Sequence, residues 1–576
     1  NGVDNNITLS NTIGNLVMGS GNDSVTLDIS TFTGNIAVNV DGKDGDDIFN
    51  IGSPVSTLEN SINQKLDGKT LTGTINSFED ININESVNLA SDLDITGANK
   101  ITIGAGKELG LNVDYTKTED GKVIGHALYD KGIEVNNNSG KIVVGTSTAN
   151  EDTVISMGNG DTASTITNGE NIFMSNSVNH TATYDRDDNV INVTVKKDLE
   201  LGKNETIKYA HLNEIYKSIV DANKIDLMRA SSEVKDNKTE DEAIKAQLEF
   251  YGKIYNSTPY AYSNDISRET ANMVNDSIMD SRFKADEGRW LHYGAIAGQG
   301  YDDDNSYYGR GYYNSVDLGV AEVDIESDIY SAYYMGEYGK TDKLALGYVI
   351  AGNNSNTDIG ESDLKGSGYY LGAYAKYNTG NLRLIAGLGY QHNYYEADRR
   401  VSNDYQSMSV EKKYTDDTLT AYSGVRYIHN LADGLTVEPY ARVSLTQVMQ
   451  HSINEADNGD LSISVDGKDF TTVDSEIGVD LVKSTTLKDG KVNLIAGVGA
   501  EIMLDGYERE NLTAKINGSS KTFDIVSEEE ENFRGKVSLG VEYEKTNGVF
   551  YNVKGSYIRT EDNNNYNFEV GIGYRF

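Results

Sequence analysis

The chain has 576 residues, with 58 Gly, 38 Tyr, 3 Pro and no Cys. This length indicates two or three domains, and a hydrophobic content of 38% without an apolar run of about 20 residues excludes a bundle of membrane-spanning helices. The net charge of -39 argues against a nucleic-acid partner, because phosphates would be repelled.

Residues 1–203 are predicted to form many short β-strands, because apolar and polar residues alternate between Gly, Asn and Asp turns. The candidate strands are Ile7–Leu9, Val25–Ile29, Ile36–Val40, Ile81–Ile83, Val87–Leu89, Leu93–Ile95, Ile101–Ile103, Leu109–Val113, Ile142–Val144 and Val190–Val195. This spacing suits a β-solenoid or a β-sandwich. Asn-rich strand positions suit stacked polar ladders and large aromatic core residues are lacking, so we favour a right-handed β-solenoid (β-helix).

Residues 204–286 change to helical periodicity and are predicted to form a helical linker. Apolar residues recur at i, i+3, i+4 and i+7 in three stretches, and Pro259 separates the second stretch from the third. The residues of these stripes are Leu212, Ile215, Tyr216, Ile219, Ile244, Leu248, Tyr251, Tyr255, Met273, Val274, Ile278 and Met279.

Residues 287–576 return to alternation in longer segments and predict a 12-stranded antiparallel transmembrane β-barrel. The strands centre near 290–298, 328–338, 344–353, 367–377, 382–396, 418–428, 436–449, 471–485, 491–504, 532–544, 549–559 and 565–576. An even strand number is typical of bacterial single-chain barrels. The fold class is therefore mainly β: solenoid, helical linker and C-terminal barrel.

The connections between these strands alternate in predicted length. Those after strands 2, 4, 6, 8 and 10 are short turns such as Asp433-Gly434 and Asn547-Gly548, whereas those after strands 1, 3, 5, 7 and 9 are expected to be long. Short periplasmic turns and long external loops are the asymmetry of outer-membrane barrels. Residue 287 and Phe576 are therefore expected on the periplasmic side.

Each barrel strand presents one apolar and one polar face, and in lipid the apolar face must point outward. The predicted lumen-facing charged residues are Arg383, Arg426, Arg442, Glu476, Asp480, Glu501, Arg534, Lys536, Glu542, Lys554, Glu569 and Arg575. Inward glycines either relieve strand bending or leave room for a lumen occupant, for which the helix around 265–285 is the candidate. These glycines are Gly387, Gly389, Gly497, Gly499, Gly571 and Gly573.

Two Gly- and Asp-rich turns partly match the calcium-roll pattern Gly-Gly-x-Gly-x-Asp-x-apolar. They are 19–25 and 42–49, in which Asp23, Asp44, Asp46 and Asp47 could offer oxygen ligands to Ca²⁺. The alternative is that they are solvated turns, so no cofactor is expected apart from this possible Ca²⁺. The seven His residues form no local metal pair, and no Ser lies in a nucleophile elbow, so no enzyme is predicted.

The order of the three segments resembles the monomeric autotransporters of type V secretion. The last strand resembles the C-terminal signal that the outer-membrane barrel assembly machinery reads. Its apolar residues are Tyr566, Phe568, Val570, Ile572, Tyr574 and Phe576. The resemblance implies that the barrel inserts into outer-membrane lipid, that the N-terminal region crosses to the cell surface, and that the linker remains as a helix in the pore.

Some family members are cut between paired asparagines in this linker. No Asn-Asn pair occurs between 265 and 286, where Asn275-Asp276 is the nearest match, so an uncleaved passenger is expected. The predicted function is export and anchoring of a surface-exposed passenger, interpreted as an adhesin for an unknown host or bacterial receptor. The alternatives are a plain porin, or a barrel enzyme using His292, His392 or His451, with a periplasmic N-terminal domain. Since the N-terminus lacks a basic and apolar leader, the chain is expected to be a mature fragment or a truncated form.

Overall fold

A computed structural model of the chain divides into two compact units. One comprises residues 1–206 with 223–248, and the other comprises 207–222 with 249–576. The structure describes residues 2–11, 14–53, 66–125, 128–137, 140–158, 165–167, 173–199, 210–224, 227, 240–303, 323–403, 407–456, 459–508, 510–527, 532–559 and 564–576.

The first unit consists mainly of short strands. They are β1 (Asn6–Leu9), β2 (Leu16–Val17), β3 (Ser24–Leu27), β4 (Asn35–Asp41), β5 (Ile48–Ile51), β6 (Thr70–Asn76), β7 (Asp80–Ile83), β8 (Val87–Leu89), β9 (Asp94–Thr96), β10 (Lys100–Ile103), β11 (Glu108–Leu111), β12 (Thr118–Glu119), β13 (Lys122–Ile124), β14 (Glu134–Asn137), β15 (Lys141–Val144), β16 (Thr153–Ser156), β17 (Thr165–Thr167), β18 (Phe173–Ser175), β19 (His180–Asp185) and β20 (Val190–Val195). A 3-10 turn, Ile29–Thr31, follows β3.

Most of these strands form two parallel sheets, ordered β1-β3-β5-β7-β10-β14-β17 and β18-β15-β11-β8-β6-β4-β2, with β9 paired to β6. Buried apolar side chains lie between the two sheets. Within each sheet they stack in rows, because the parallel register places each one beside the corresponding residue of the next strand. One such row consists of Val25, Phe49, Ile81, Ile101, Val135 and Ile166. A polar row beside it joins Asn82 to Asn50 (3.0 Å) and Asn50 to Ser24 (3.3 Å).

A third sheet, ordered β12-β13-β16-β20-β19, follows the parallel strands. In it β20 is antiparallel to both β16 and β19. The chain direction thus reverses, which ends the parallel arrangement with a hairpin.

Between the strand-rich regions, the described residues include three α-helices: α1 (Ala210–Ala222), α2 (Glu240–Asn256) and α3 (Ser263–Asp280). A 3-10 turn at Pro259–Ala261 separates α2 from α3, where the predicted Pro break falls. The helical segment is confirmed, although the predicted start at 204–209 lies outside the described residues. Within the described part of the chain, no helix combines the length and the apolar character needed to cross a membrane.

The second unit contains a closed barrel of twelve antiparallel strands, as predicted. They are β21 (Trp290–Asp303), β22 (Ile325–Gly339), β23 (Leu344–Ile359), β24 (Ser362–Thr379), β25 (Leu382–Ser402), β26 (Ser407–Tyr427), β28 (Leu435–Gln450), β31 (Lys468–Leu487), β32 (Gly490–Asp505), β35 (Phe533–Lys545), β36 (Val549–Arg559) and β37 (Asn564–Arg575), and a short β27 (His429–Ala432) pairs with β28. Pairing of β21 with β37 joins the first strand to the last, so the barrel has no free edge.

The two ends of the barrel differ. We call one the turn end, because β22–β23, β24–β25, β31–β32 and β35–β36 connect there through two to four residues. There the Trp290 N–H donates to the Phe576 carbonyl (3.1 Å), which places both barrel termini at this end. We call the opposite end the hairpin end.

At the hairpin end, the predicted long loops after strands 3 and 5 are wrong. Strands β23 and β24 stay paired up to Ile359 and Ser362, and β25 and β26 up to Ser402 and Ser407. Beyond the apolar belt a strand needs no apolar face, so its alternation fades in sequence while the backbone ladder continues.

Four further strands at the hairpin end form a separate antiparallel sheet. They are β29 (Ile453–Asn454), β30 (Ile463–Val465), β33 (Asn511–Ile516) and β34 (Phe523–Val526). Helix α1 contacts β33 and β34, and its Ser218 hydroxyl donates to the Lys521 carbonyl (2.9 Å). Asp221 accepts hydrogen bonds from Ser519 and Ser520, which lower the pKa of its carboxyl.

Candidate functional site: the helix inside the barrel

Helix α3 is surrounded by barrel strands. It contacts β22, β23, β25, β26 and β28 on one part of the ring. On the next strand, β31, the Asp474 carboxylate accepts a hydrogen bond from the Asn272 side-chain amide (3.1 Å). The Asn275 side-chain oxygen accepts a hydrogen bond from the Tyr370 hydroxyl (2.6 Å), and both residues are fully buried. The chain therefore runs through the barrel between its two ends as a helix.

Acidic residues of α3 meet basic residues of the wall. Arg442 lies 3.3 Å from Asp276 and 3.2 Å from Asp280, measured from guanidinium nitrogen to carboxylate oxygen. Lys554 of β36 also pairs with Asp280. Since Asp276 and Asp280 are one helical turn apart, they point to the same face of α3.

The wall residues around this contact form a connected network. Arg442 pairs with Glu476 (2.9 Å), and Lys536 pairs with both Glu476 (3.1 Å) and Glu501 (2.9 Å). All except Glu501 are nearly completely shielded from solvent. Opposite charges with several partners each are how buried ionic groups are tolerated.

The segment that follows α3 continues the network towards the turn end. Arg282 pairs with Asp480 (2.7 Å) and with Glu438, and lies 3.8 Å from Glu542. Arg426 pairs with the same Asp480 carboxylate. Arg282, which lies inside the barrel, is therefore close to carboxylates of three wall strands, β28, β31 and β35.

Lys376 and Glu337 belong to this contact zone but were not predicted from the sequence. Lys376 pairs with Glu337 (3.1 Å) and donates to the Phe283 carbonyl (2.9 Å), while Glu337 accepts from the Ala285 N–H (2.7 Å). Each is followed directly by an exposed tyrosine, Tyr338 after Glu337 and Tyr377 after Lys376, and that alternation of inner and outer faces is the signal that would have revealed them.

The first half of α3 is held by a hydrogen-bond network around Ser267. The Ser267 hydroxyl donates to Asp416 (2.6 Å) and accepts from the Tyr395 hydroxyl (2.6 Å) and the Asn393 amide (2.9 Å). Gln391 donates to the Ser267 carbonyl (3.0 Å). Ser267 of the helix, three side chains of β25 and one of β26 thus satisfy each other's hydrogen-bonding groups.

Other predicted lumen residues lie in the same region. Arg534 pairs with Glu269 of α3 (3.4 Å). Arg383 is half-buried and lines a cavity together with Arg282 and Arg426.

Glu569 and Arg575, from the last strand, contact neighbouring wall residues. Glu569 accepts from the Tyr293 hydroxyl (2.8 Å), and Arg575 pairs with Glu544 (2.7 Å). These two residues therefore support the wall near the closure of the ring.

Five of the six inward glycines lie against aromatic rings of neighbouring strands, the exception being Gly497, which lies against Asp480. A Cβ added at Gly389 would lie 1.9 Å from the Tyr370 hydroxyl, and one at Gly571 would lie 2.1 Å from the Tyr293 hydroxyl. The space beside these glycines, which we predicted to be left for a helix in the lumen, is therefore partly filled by Tyr rings. One of these residues, Tyr370, also holds α3 through its hydrogen bond to Asn275.

The predicted assembly-signal residues lie on the outer face of β37. Tyr566, Phe568, Val570, Ile572, Tyr574 and Phe576 are 45–61% exposed. Apolar residues of other strands share this exposure, among them Leu388, Val498 and Leu539. They form an apolar belt around the barrel.

The four carboxylates of the calcium prediction are not brought together. Asp23 and Asp47 are buried, and Asp47 accepts from the Asp23 N–H (2.6 Å), whereas Asp44 and Asp46 are exposed. Burial raises the pKa of the Asp47 carboxyl. In the described ranges no group of three or more His, Asp or Glu is arranged to hold a metal ion, so the calcium prediction gains no support.

Two histidines share a partner that sequence reasoning missed. His392 lies 2.7 Å and His451 3.5 Å from the Asp417 carboxylate, which also accepts from the Tyr390 hydroxyl (2.6 Å). The cluster joins β25, β26 and the residue that follows β28, so no spacing along the chain could have signalled it.

A closed antiparallel barrel with an apolar outer belt and a polar, helix-filled interior defines a transmembrane protein of the outer-membrane type. Residues 294–557 match the model of the autotransporter beta-domain family. The C-terminal barrel is therefore an autotransporter beta-domain, the translocator barrel of type V secretion.

Among solved structures, the barrel is similar to the translocator domain of NalP from Neisseria meningitidis (17% identity, TM-score 0.40, 55% of this chain and 96% of that chain). It is also similar to the transport unit of AIDA-I from Escherichia coli (16% identity, TM-score 0.37, 55% and 99%) and to the beta domain of Bordetella BrkA (12% identity, TM-score 0.38, 50% and 100%). No curated protein matches the sequence.

Proposed function

We propose that this autotransporter exports its own N-terminal region to the cell surface and holds it there as an adhesive β-solenoid passenger. The observation that carries the proposal is α3, a continuous helix from Ser263 to Asp280 that threads the closed barrel. A chain that enters the barrel at one end and joins its first strand at the other has crossed the ring.

The orientation follows from the two ends of the barrel. Short turns and both barrel termini lie at the turn end, which we assign to the periplasm. The hairpin end, where residues 249–262 precede α3, then faces the exterior. The apolar belt would contact outer-membrane lipid, and the exposed face of β37 would be the surface read by the barrel assembly machinery.

The solenoid assignment rests on strand order. In β1 to β8, strands alternate between the two parallel sheets, as in a chain that winds through both sheets once per coil. We propose a right-handed coil. A stack of such coils presents a long polar surface, which suits adhesion to an unknown host or bacterial receptor better than it suits catalysis.

We further propose that the passenger stays attached. Asn275 is followed by Asp276, and both side chains are engaged with the wall, at Tyr370 and Arg442 respectively. An intact chain would migrate as one species of 63.0 kDa after full denaturation, whereas cleavage within α3 would separate the barrel from the rest.

The export topology is tested by protease shaving of intact cells that carry a tag before residue 1 and another after Phe576. Loss of the N-terminal tag with protection of the C-terminal tag is expected. If both tags resist until the outer membrane is permeabilised, the N-terminal region has not crossed and the proposal fails. A barrel-only chain starting at residue 287 provides the control for tag accessibility at the turn end.

The adhesive role of the N-terminal region is tested in a separate experiment. Cells displaying the chain should bind a receptor-bearing surface, and shaved cells should lose that binding. Equal binding by shaved cells would remove adhesion from the proposal while leaving export in place.

A further inference from the structure

A fully buried ion pair lies at the hairpin end of the barrel. Arg399 of β25 contacts Glu455 through two bonds, Nε to Oε1 at 2.9 Å and Nη2 to Oε2 at 2.6 Å. Arg399 also donates to the Leu461 carbonyl (2.7 Å), and the Ile463 N–H donates to Glu455 (2.7 Å). The pair joins a barrel strand to the connection between β29 and β30.

The chain that passes through the barrel completes this pair. The Tyr260 hydroxyl donates to Glu455 Oε1 (2.6 Å), and the Tyr260 carbonyl accepts from Gln450 (3.0 Å). The Tyr260 ring packs edge-on against Tyr414, with 5.3 Å between ring centroids. Tyr260 lies three residues before α3, and both it and Glu455 are fully buried. Its position therefore fixes where α3 begins.

Several contacts inside the barrel tolerate a shift of α3 by one turn, about 5.4 Å. A slip of four residues towards the turn end would bring Ser263 to the place of Ser267 and Asp276 to the place of Asp280. Ser would replace Ser, and Asp would replace Asp beside Arg442 and Lys554. These contacts hold α3 but do not by themselves distinguish the two registers.

In that slip Asn272 would replace Asp276 beside Arg442, and Arg282 would move away from Asp480, so two ion pairs would be lost. Two hydrogen bonds nearer the hairpin end would be lost as well. Ala271 would replace Asn275, which removes the hydrogen bond from Tyr370, and Tyr260 would leave Glu455. The second loss is larger, because a bond to a carboxylate is stronger than a bond to a neutral amide, and because Glu455 would lose a buried partner.

We propose that Tyr260, Glu455 and Arg399 form a register lock that sets the depth at which α3 stops in the barrel. This inference rests on the proposed function in one respect, because the lock would mark the point at which export of the chain ends. It prevents the helix from slipping back towards the turn end. The lock assembles only when residue 260 has reached the hairpin end, because Tyr260 supplies one of its hydrogen bonds.

The test uses the full chain, purified in detergent, and exploits its lack of Cys. A slip reporter carries Ala271→Cys and Thr420→Cys. Thr420 faces Asn275 in the observed register (3.5 Å), so residue 271 reaches it only after a four-residue slip. A register reporter carries Asn272→Cys and Thr446→Cys, whose side chains are 3.4 Å apart. The rate of direct disulfide cross-linking under a mild oxidant, copper phenanthroline with oxygen, is measured in each.

In the slip reporter, Tyr260→Phe should raise the cross-linking rate about tenfold, because it removes one hydrogen bond to a charged group. Tyr370→Phe is the matched control: it removes one hydroxyl bond to a neutral group of α3 and should raise the rate only about threefold. The double variant Arg399→Met with Glu455→Leu removes the lock without leaving a lone buried charge and should raise the rate at least as much as Tyr260→Phe. Heat-dependent gel mobility verifies that each barrel is folded.

Unchanged slip rates in both Tyr260→Phe and the double variant, with folded barrels, would overturn the register lock. So would a larger effect of Tyr370→Phe than of Tyr260→Phe. If the proposed export function is wrong, the evidence is a different result, namely an N-terminal tag that resists protease in the shaving experiment. A protected tag with a Tyr260-dependent slip rate would leave the lock as a fixed seal and remove only its role in export.

Discussion

Arg442 in the barrel wall and Asp280 in the enclosed helix α3 form an ion pair with 3.2 Å between guanidinium nitrogen and carboxylate oxygen. The same guanidinium reaches Asp276 and Glu476. One wall residue thus connects two turns of the helix to a neighbouring strand, and its removal would leave three carboxylates with a shared partner missing.

Arg442→Gln should therefore lower the free energy of unfolding of the barrel by about 3 kcal/mol, the scale on which breaking a buried pair destabilises a protein. Urea unfolding of the full chain in detergent, followed by gel mobility, measures this. Arg400→Gln is the control, since Arg400 pairs with Asp398 in a largely exposed position and should leave the midpoint nearly unchanged. Equal midpoints for Arg442→Gln and the native chain would show that the network does not hold the helix.

Leu539 is the most exposed large apolar residue of the belt, at 70%. Leu539→Arg should destabilise the folded barrel in lipid bilayers by about 2–4 kcal/mol, because a charge would face hydrocarbon. Asn511→Arg, in the exposed part of β33, should have no such effect. Equal stability of the two variants in lipid would mean that the belt does not lie in the membrane.

Phe576→Ser tests the predicted assembly signal. We expect less folded barrel in the outer membrane and more unfolded chain in the periplasm, because the last strand would lose its terminal aromatic residue. Phe533→Ser removes an equally exposed aromatic residue from another strand and serves as the control. If both variants assemble as well as the native chain, Phe576 is not part of the signal.

Gly389→Ala would place a methyl group 1.9 Å from the Tyr370 hydroxyl and displace that ring from Asn275. A loss of about 1–3 kcal/mol is expected, as for other overpacked sites. Gly352→Ala, whose added Cβ meets nothing within 4 Å, should be neutral. The unfolding midpoints of the two variants decide whether this glycine serves the ring.

His180 gives the N-terminal unit a pH dependence. Burial lowers the pKa of its imidazole below the usual 6.5, so the neutral ring is favoured in the folded state. As pH falls below 6.5, the unfolded chain binds the proton first, and stability is lost down to the pKa of the folded state.

Calorimetry of the full chain at pH 7 and pH 5 should show a lower unfolding temperature for the N-terminal unit at pH 5. His180→Gln should reduce that difference, because the titrating group is gone. A difference of the same size in both chains would place the pH dependence in other residues.

Alternation along single strands determined much of this protein. Residues 565–576 place apolar side chains on one face and polar ones on the other, and the same local rule fixed the number of barrel strands and their short turns. The three helical stripes were equally local, since i, i+3 and i+4 positions meet within one helix. Such patterns depend only on neighbours in the chain.

Tertiary structure decided which residues meet across the ring. Ser267 and Asp416, or Tyr260, Arg399 and Glu455, come together because the barrel closes around the chain, and no local period relates them. The long hairpins at one end also escaped sequence reading, because backbone pairing continues where side chains no longer face lipid. Local periodicity sets the faces of each element, whereas closure of the barrel selects the partners of each buried polar group.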